Sequence, residues 1–318
     1  MSYFQDRCVV IALGGNAISP PGKPDTVANQ FSQTRESLRG IVELLRRGYK
    51  MAITHGNGPQ VGDKLRRVEL TRSELPDIPL GVLVADTQGS MGYMIEQSLQ
   101  NRLIQEGSNR RVVTIITQVL VDEKDMALRE PTKFVGQTYS PEEAKRYTQD
   151  EGWVMKPYSD DKHWRRVVGS PIPLGIVNRK AIRELVQQGV VVIAAGGGGI
   201  PIYRDENLRL DGVDAVIDKD RAAAVMAHDI EADELLILTN IDAVRINFGQ
   251  PSERVIRRMR VDEARDYIAE GHFPAGSMGP KVEAAVQFVQ HGGERAIICA
   301  LDQIEAAMKG ESGTIISP

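Results

Sequence analysis

A chain of 318 residues and 35.0 kDa has room for one large domain or two intimate ones. Apolar residues at 42% and charged residues at 26% are ordinary for a folded globular protein and exclude extended disorder. With 39 Lys+Arg against 43 Asp+Glu the net charge is −4, which leaves no basic footprint for nucleic acid and no cationic face for anionic lipid.

Two cysteines cannot build a disulfide scaffold. Cys8 and Cys299 both sit in apolar runs that read as buried strands, so a reduced, cytoplasmic chain is expected. The N-terminal MSYFQDRC has no basic segment followed by a long apolar core, and the most apolar stretch, residues 190–202, is too short and glycine-rich to span a bilayer.

In chain order, residues 9–13 form a short continuous apolar run, the pattern of a strand buried on both faces. It ends in Gly14-Gly15-Asn16. A helix is expected over 25–47, with Phe31, Leu38, Ile41, Val42 and Leu45 as its apolar stripe and Gly48 at its end. A second strand over 51–54 ends in His55-Gly56-Asn57-Gly58-Pro59. A helix follows, then another over 86–106, and a third strand over 112–121. Strand, glycine turn and helix in alternation predict an α/β fold with a parallel sheet, its ligands at the strands' C-terminal edge. Residues 122–170 break the pattern. They are polar and proline-rich, hold both tryptophans, and read as an inserted flap or small subdomain. A helix over 178–188 and a strand over 190–194 resume the alternation, and that strand runs into Gly196-Gly197-Gly198-Gly199. Further strands are expected over 235–238, 296–300 and 313–316.

Each of the three glycine turns follows a strand. Glycine has no Cβ, so backbone N–H groups can approach and point at an anion, and a helix start behind the turn adds positive potential. Each alone is also an ordinary αβ connection; three on one edge suggest an anion cradle. The turns match neither GxxxxGK[ST] nor GxGxxG, so neither a Walker P-loop nor a dinucleotide fold is supported. Lys219, in Asp218-Lys219-Asp220, and Lys281 lie at expected helix starts, where a cation opposes the macrodipole unless an anion is bound. Both read as phosphate ligands, with Asp218 and Asp220 holding Lys219. Lys133 is a third candidate, in the flap. His55 has no metal-site or triad spacing and reads as satisfying backbone groups beside its turn, so no protein-held metal site is expected. Asp211, Asp214 and Asp218 could meet Mg²⁺, but read more simply as a solvated loop.

These residues fall in ALGGNAI (12–18), ITHGNGPQVG (53–62), QGSMGY (88–93), TQVLVD (117–122), PTKFVG (131–136), RRVVGSP (165–171), GGGGIP (196–201), AVIDKD (215–220), INFGQP (246–251), GSMGPKVEAA (276–285) and SGTII (312–316). Taken together and in this order, the segments resemble the carbamate kinases of the amino-acid kinase superfamily from one end of the chain to the other. The resemblance implies a three-layer α/β/α sandwich around a mainly parallel sheet of about eight strands. It implies one amino-acid-kinase domain over 1–318 with 122–170 as its protruding subdomain, and a homodimer. The implied reaction is ATP + carbamate ⇌ ADP + carbamoyl phosphate with Mg²⁺ held mainly by the nucleotide phosphates, commonly run toward ATP at the end of arginine, agmatine or allantoin breakdown.

Carried over onto this sequence, Gly14, Gly15 and Asn16 cradle the transferred phosphoryl group, and Gly56, Asn57 and Gly58 complete the acceptor side. Lys133, Lys219 and Lys281 contact phosphate, and Asp220 orients the lysines. Gly196–Gly199, Thr239, Arg245, Met278 and Gly279 border the nucleotide. The chain departs from the family pattern at Phe134, where a proline is usual, in the segment 161–164, and at Arg245, where a tyrosine is usual. The first two could alter acceptor choice and the third nucleotide preference. Two other readings therefore stand beside the first: a superfamily kinase for another carboxylate or phosphate acceptor, and a regulator that binds without turnover. Retention of all three lysines speaks against the second.

Overall fold

The computed structural model describes residues 6–19, 22, 24–274 and 276–318; residues 1–5, part of the segment read above as lacking a leader, lie outside them. Eight strands form the central sheet. In spatial order they are Arg258–Arg260, Thr314–Ser317, Arg295–Ala300, Glu234–Thr239, Cys8–Leu13, Lys50–His55, Val191–Ile193 and Val112–Thr114. The last six in this order run parallel to one another. Thr314–Ser317 runs antiparallel to Arg295–Ala300, and Arg258–Arg260 follows it. These two strands, at one end of the sheet, depart from the expected parallel direction.

The alternation within Cys8–Leu13 explains its continuous apolar run. Cys8, Val10 and Ala12 pack on one side with the helices Arg179–Gln187, Lys219–Asp229 and Gly279–Gln290. Val9, Ile11 and Leu13 pack on the other with Arg39–Arg46, Leu80–Gln105 and Ile304–Met308. A strand buried on both faces must be apolar at every position. The result is a three-layer α/β/α sandwich. Burial pushes the thiols of Cys8 and Cys299 up to about 12, so both are unreactive core residues.

Three elements differ from the sequence reading. The helix expected over 25–47 is two, Val27–Ser37 and Arg39–Arg46, joined by a kink at Leu38. Ser37 and Gly40 flank the kink, the residue types that permit one. The strand expected over 112–121 is also two. Val112–Thr114 closes the central sheet, and Gln118–Leu120 joins a separate four-stranded sheet with Ile200–Arg204, Gly175–Ile176 and Leu210–Gly212. The helix expected from residue 86 starts six residues earlier, at Leu80.

Residues 133–168 build a sheet of their own, with His163–Val168 between Lys133–Tyr139 and Met155–Asp160. Its helix, Pro141–Glu151, starts with a capping box from Ser140 and Glu143 and ends on left-handed Gly152. Trp153 stacks on Tyr147 with ring centroids 4.7 Å apart. On the inner face Val135 and Val168 pack with Val61 and Leu65 of the helix Gly58–Thr71 and with Leu80, Leu83, Val84 and Val216. The aromatic ring of Phe134 meets Tyr158 edge-on at 5.1 Å, and the Arg165 guanidinium lies 4.6 Å over Tyr158.

Candidate active site

The site lies where the strands Cys8–Leu13, Lys50–His55 and Glu234–Thr239 end. After Leu13 the chain turns through Gly14 into a short 3₁₀ turn, Gly15–Ala17. A Cβ on Gly14 would lie 3.0 Å from the Leu238 carbonyl oxygen, so the close approach of two strand ends requires glycine there. Gly56 donates its N–H to the Leu13 carbonyl at 3.1 Å. A Cβ on Gly56 would meet Lys219 Cδ at 3.3 Å and Gly15 N at 3.5 Å. The first two glycine turns and Lys219 therefore converge.

Asp218 caps the helix Lys219–Asp229, its Oδ1 accepting the Asp220 N–H at 2.9 Å. Lys219 occupies the first helical position and pairs with Asp220 Oδ1. Lys281 reaches across from the helix Gly279–Gln290 and places Nζ 2.9 Å from Asp220 Oδ2. One buried carboxylate, 2% exposed, thus holds two ammonium groups. Lys133 comes down from the flap sheet and lies 3.0 Å from Asp218 Oδ2. The expectation that Asp218 holds Lys219 is corrected: Asp218 serves Lys133 and the helix cap, and Asp220 serves the other two lysines. Burial pushes the Asp218 carboxyl up, but Lys133, with Lys219 behind it, outweighs burial and holds it at about 2.

A cavity of about 820 Å³ is lined by Gly14, Gly15, Asn16, Lys219, Thr239 and Lys281 and extends toward Ser37 and Glu43 on the helix pair. A second, of about 670 Å³, shares Thr239, Asn240 and Lys281 with it and continues past Asp242, Arg245, Phe248 and Met278. Of the residues assigned to phosphate, Gly14, Gly15, Asn16, Lys219 and Lys281 line one open space. Thr239, Arg245 and Met278 line the adjoining one.

The other assignments fare differently. Gly196–Gly199 are buried and line neither cavity. A Cβ on Gly196 would fall on the His55 ring, on Gly197 on the Asn57 amide, on Gly198 on the Ile217 carbonyl and on Gly199 on Val119. This run is glycine because four neighbours press on it, and it forms a floor beneath the second turn, outside both cavities. Gly279 opens its helix buried, where a Cβ would lie only 3.1 Å from the Pro274 carbonyl oxygen, and lines neither cavity. Asn57 is buried with its Nδ2 donating to Thr87 Oγ1 at 2.9 Å, so its side chain braces the turn from behind. Gly58 is exposed and begins the helix Gly58–Thr71.

His55 is 1% exposed and its Nδ1 lies 3.1 Å from the Gly56 oxygen. Burial, helped by nearby Lys219 and opposed by the Gly56 carbonyl, brings its pKa down to about 4. The folded pKa lies below the ordinary 6.5, so between these values the unfolded chain binds the extra proton. Stability is full above about pH 6.5 and is lost as pH falls toward 4, by on the order of 3 kcal/mol from this residue. Chemical denaturation at pH 7.5 and 5.0 should show about 2 kcal/mol of that loss, and His55→Gln should shrink the difference between the two.

Asp211 is exposed and accepts from the Gly212 N–H, and Asp214 accepts from the Leu80 N–H and Arg166. Among the described residues no group of three His, Cys, Asp or Glu could hold a metal ion, and no helix is long and apolar enough to cross a membrane. The sequence reading gave no role to Phe248, although INFGQP carried part of the resemblance. An aromatic ring in a glycine-containing turn was its only signal.

The sequence model of the amino acid kinase family matches residues 7–300. The chain is 45% identical to the carbamate kinase of Pyrococcus furiosus over 98% of its own length and 99% of that protein's. Over the same shares it is 46% identical to the carbamate kinase of Pyrococcus horikoshii. Its fold matches a solved structure of carbamate kinase from Giardia lamblia bound to AMP-PNP with a TM-score of 0.92, at 39% identity and covering 100% of this chain and 99% of that one. The chain belongs to the amino acid kinase family, among its carbamate kinases.

Proposed function

We propose that this protein transfers a phosphoryl group reversibly between ATP and carbamate, forming ATP from ADP and carbamoyl phosphate when it serves catabolism. The observation that carries the reading is the pair Lys219 and Lys281, both fixed on Asp220 at the wall shared with Gly14, Gly15 and Asn16. Phosphoryl transfer passes through a loose, highly charged transition state, so positioned cations and backbone donors supply most of the catalysis. Lys219 and Lys281 neutralise the phosphates, and Asp220 keeps both ammonium groups on the cleft. The first turn receives the phosphoryl group, the second borders the acceptor, and Lys133 approaches from the flap. Carbamate is already an anion and needs no general base. A buried, neutral His55 agrees with that.

The nucleotide lies along the second cavity, its base toward Phe248 and Met278 and its phosphates toward Lys281. Asp218 and Asp220 are both committed to lysines, so Mg²⁺ enters with the nucleotide, held by phosphate oxygens and water. Residues 122–170 act as a small subdomain within one catalytic domain and cover the acceptor. The protein works as a homodimer in the cytoplasm.

The decisive assay is ATP formation from ADP, Mg²⁺ and carbamoyl phosphate by the purified protein. Fast formation supports the reading. No ATP, from folded protein that still binds ADP, sinks it and directs the search to other acceptors.

A further inference from the structure

Arg245 lines the second cavity, yet its charge is spent within the protein. Nη1 lies 2.6 Å from Glu253 Oε1 and Nη2 lies 3.1 Å from Asp242 Oδ1. Asp242 also faces Arg257 at 3.6 Å. The other oxygen of Glu253 accepts the Gly249 N–H at 2.9 Å. That N–H belongs to the turn joining the antiparallel strands Val244–Ile246 and Arg254–Ile256. In this turn Asn247 and Gly249 are both left-handed, at φ 54° and 77°. Between them stands Phe248, its side chain 69% exposed although it lines the same cavity. A large exposed ring on a turn, facing a cavity whose other walls include Ile241, Pro274 and Met278, has apolar area free for a flat ligand.

We propose that Phe248 is the outer wall against which the nucleobase lies, and that Arg245 is the positioning residue that fixes this wall. The proposal rests on the reading of the second cavity as the nucleotide site. Arg245 joins the start of the hairpin, through Asp242, to its turn, through Glu253. Both carboxylates sit below their ordinary range, Glu253 through the Gly249 N–H and Arg245, and Asp242 through Arg245. A planar fork reaches two carboxylates at once, which a lysine ammonium on a single stem does not reproduce. The residue that replaces the usual tyrosine thus acts on the base through the turn and leaves the phosphates to the lysines.

The test compares Phe248→Ala, Arg245→Ala and Arg245→Lys with the unaltered protein in steady-state ATP formation. Phe248 is exposed, so its variant keeps its fold. The expected result is a KM for ADP raised about tenfold in Phe248→Ala and Arg245→Ala, the scale of a lost base–aromatic contact. The KM for carbamoyl phosphate and kcat should move less than twofold, Arg245→Lys should recover only part of the loss, and preference for ADP over GDP should narrow. An unchanged KM for ADP, or equal losses toward both substrates, overturns the proposal. If the unaltered protein forms no ATP, the reaction assignment fails on its own. The proposal is then decided by calorimetric ADP affinity, which the same two variants should weaken about tenfold and which, if unchanged, overturns it.

Discussion

Lys219→Ala should slow ATP formation by about 10²–10³-fold or more, the scale seen when one donor to transition-state charge is removed. The fold should persist. Lys219 lies at the first position of its helix and is paired with Asp220, which keeps Lys281 at 2.9 Å. Thermal unfolding should therefore shift by a few degrees at most while turnover collapses. ADP affinity should fall far less than turnover, because Lys281 and the shared wall remain. A variant that loses ADP affinity and turnover in equal measure would instead mark Lys219 as a ground-state binder.

Two glycines should part in the opposite sense. Gly198 has φ 93°, and a Cβ there would fall on the Ile217 carbonyl. Gly198→Ala combines backbone strain with overpacking, each costing about 1–3 kcal/mol, and should lower the thermal midpoint by several degrees or abolish soluble expression. Gly15 has nothing within 4 Å of its would-be Cβ and lines the larger cavity. Gly15→Ala should leave the thermal midpoint in place and slow turnover, since its methyl would occupy space proposed for phosphate oxygens. Gly212→Ala, in equally open space but lining neither cavity, serves as the silent control. Melting curves and turnover for the three variants decide the matter. Equal stability losses at Gly15 and Gly198 would remove the distinction.

That contrast also explains how far the sequence could be read. Strands such as Cys8–Leu13 were legible because burial on both faces leaves a continuous apolar run. The same signal hid the boundary at 115–117, where Ile115 and Ile116 carry the β-branched pattern across the point at which the chain leaves one sheet for another. A glycine needed for ligand approach and one needed because a neighbour presses on it are the same letter. Gly15 and Gly198 could not be told apart until their surroundings were known. Asp218 and Asp220 are two residues apart at a helix start, so one faces the flap and the other the neighbouring helix. Spacing alone could not say which lysine each would take. The lysines themselves were legible, because a cation in the first turn of a helix calls for a compensating anion. Their joint attachment to Asp220 needed the packing of Lys219–Asp229 against Gly279–Gln290.

The link between Lys133 and Asp218 bears on how the flap would respond to its surroundings. The carboxyl stays ionised down to about pH 2, so acidity in any cellular range leaves the link in place. The lysine is 36% exposed, however, and at about 0.15 M salt charges are screened over about 8 Å, so the attraction weakens as ions are added. The apolar attachment through Val135 and Val168 gains from the same ions when they are strongly excluded from protein surface, as sulfate is. Lys133 pairs with Val168 in the flap sheet, so both attachments sit side by side, and concentrated sulfate acts on them in opposite senses, loosening the ion pair while tightening the apolar contact next to it.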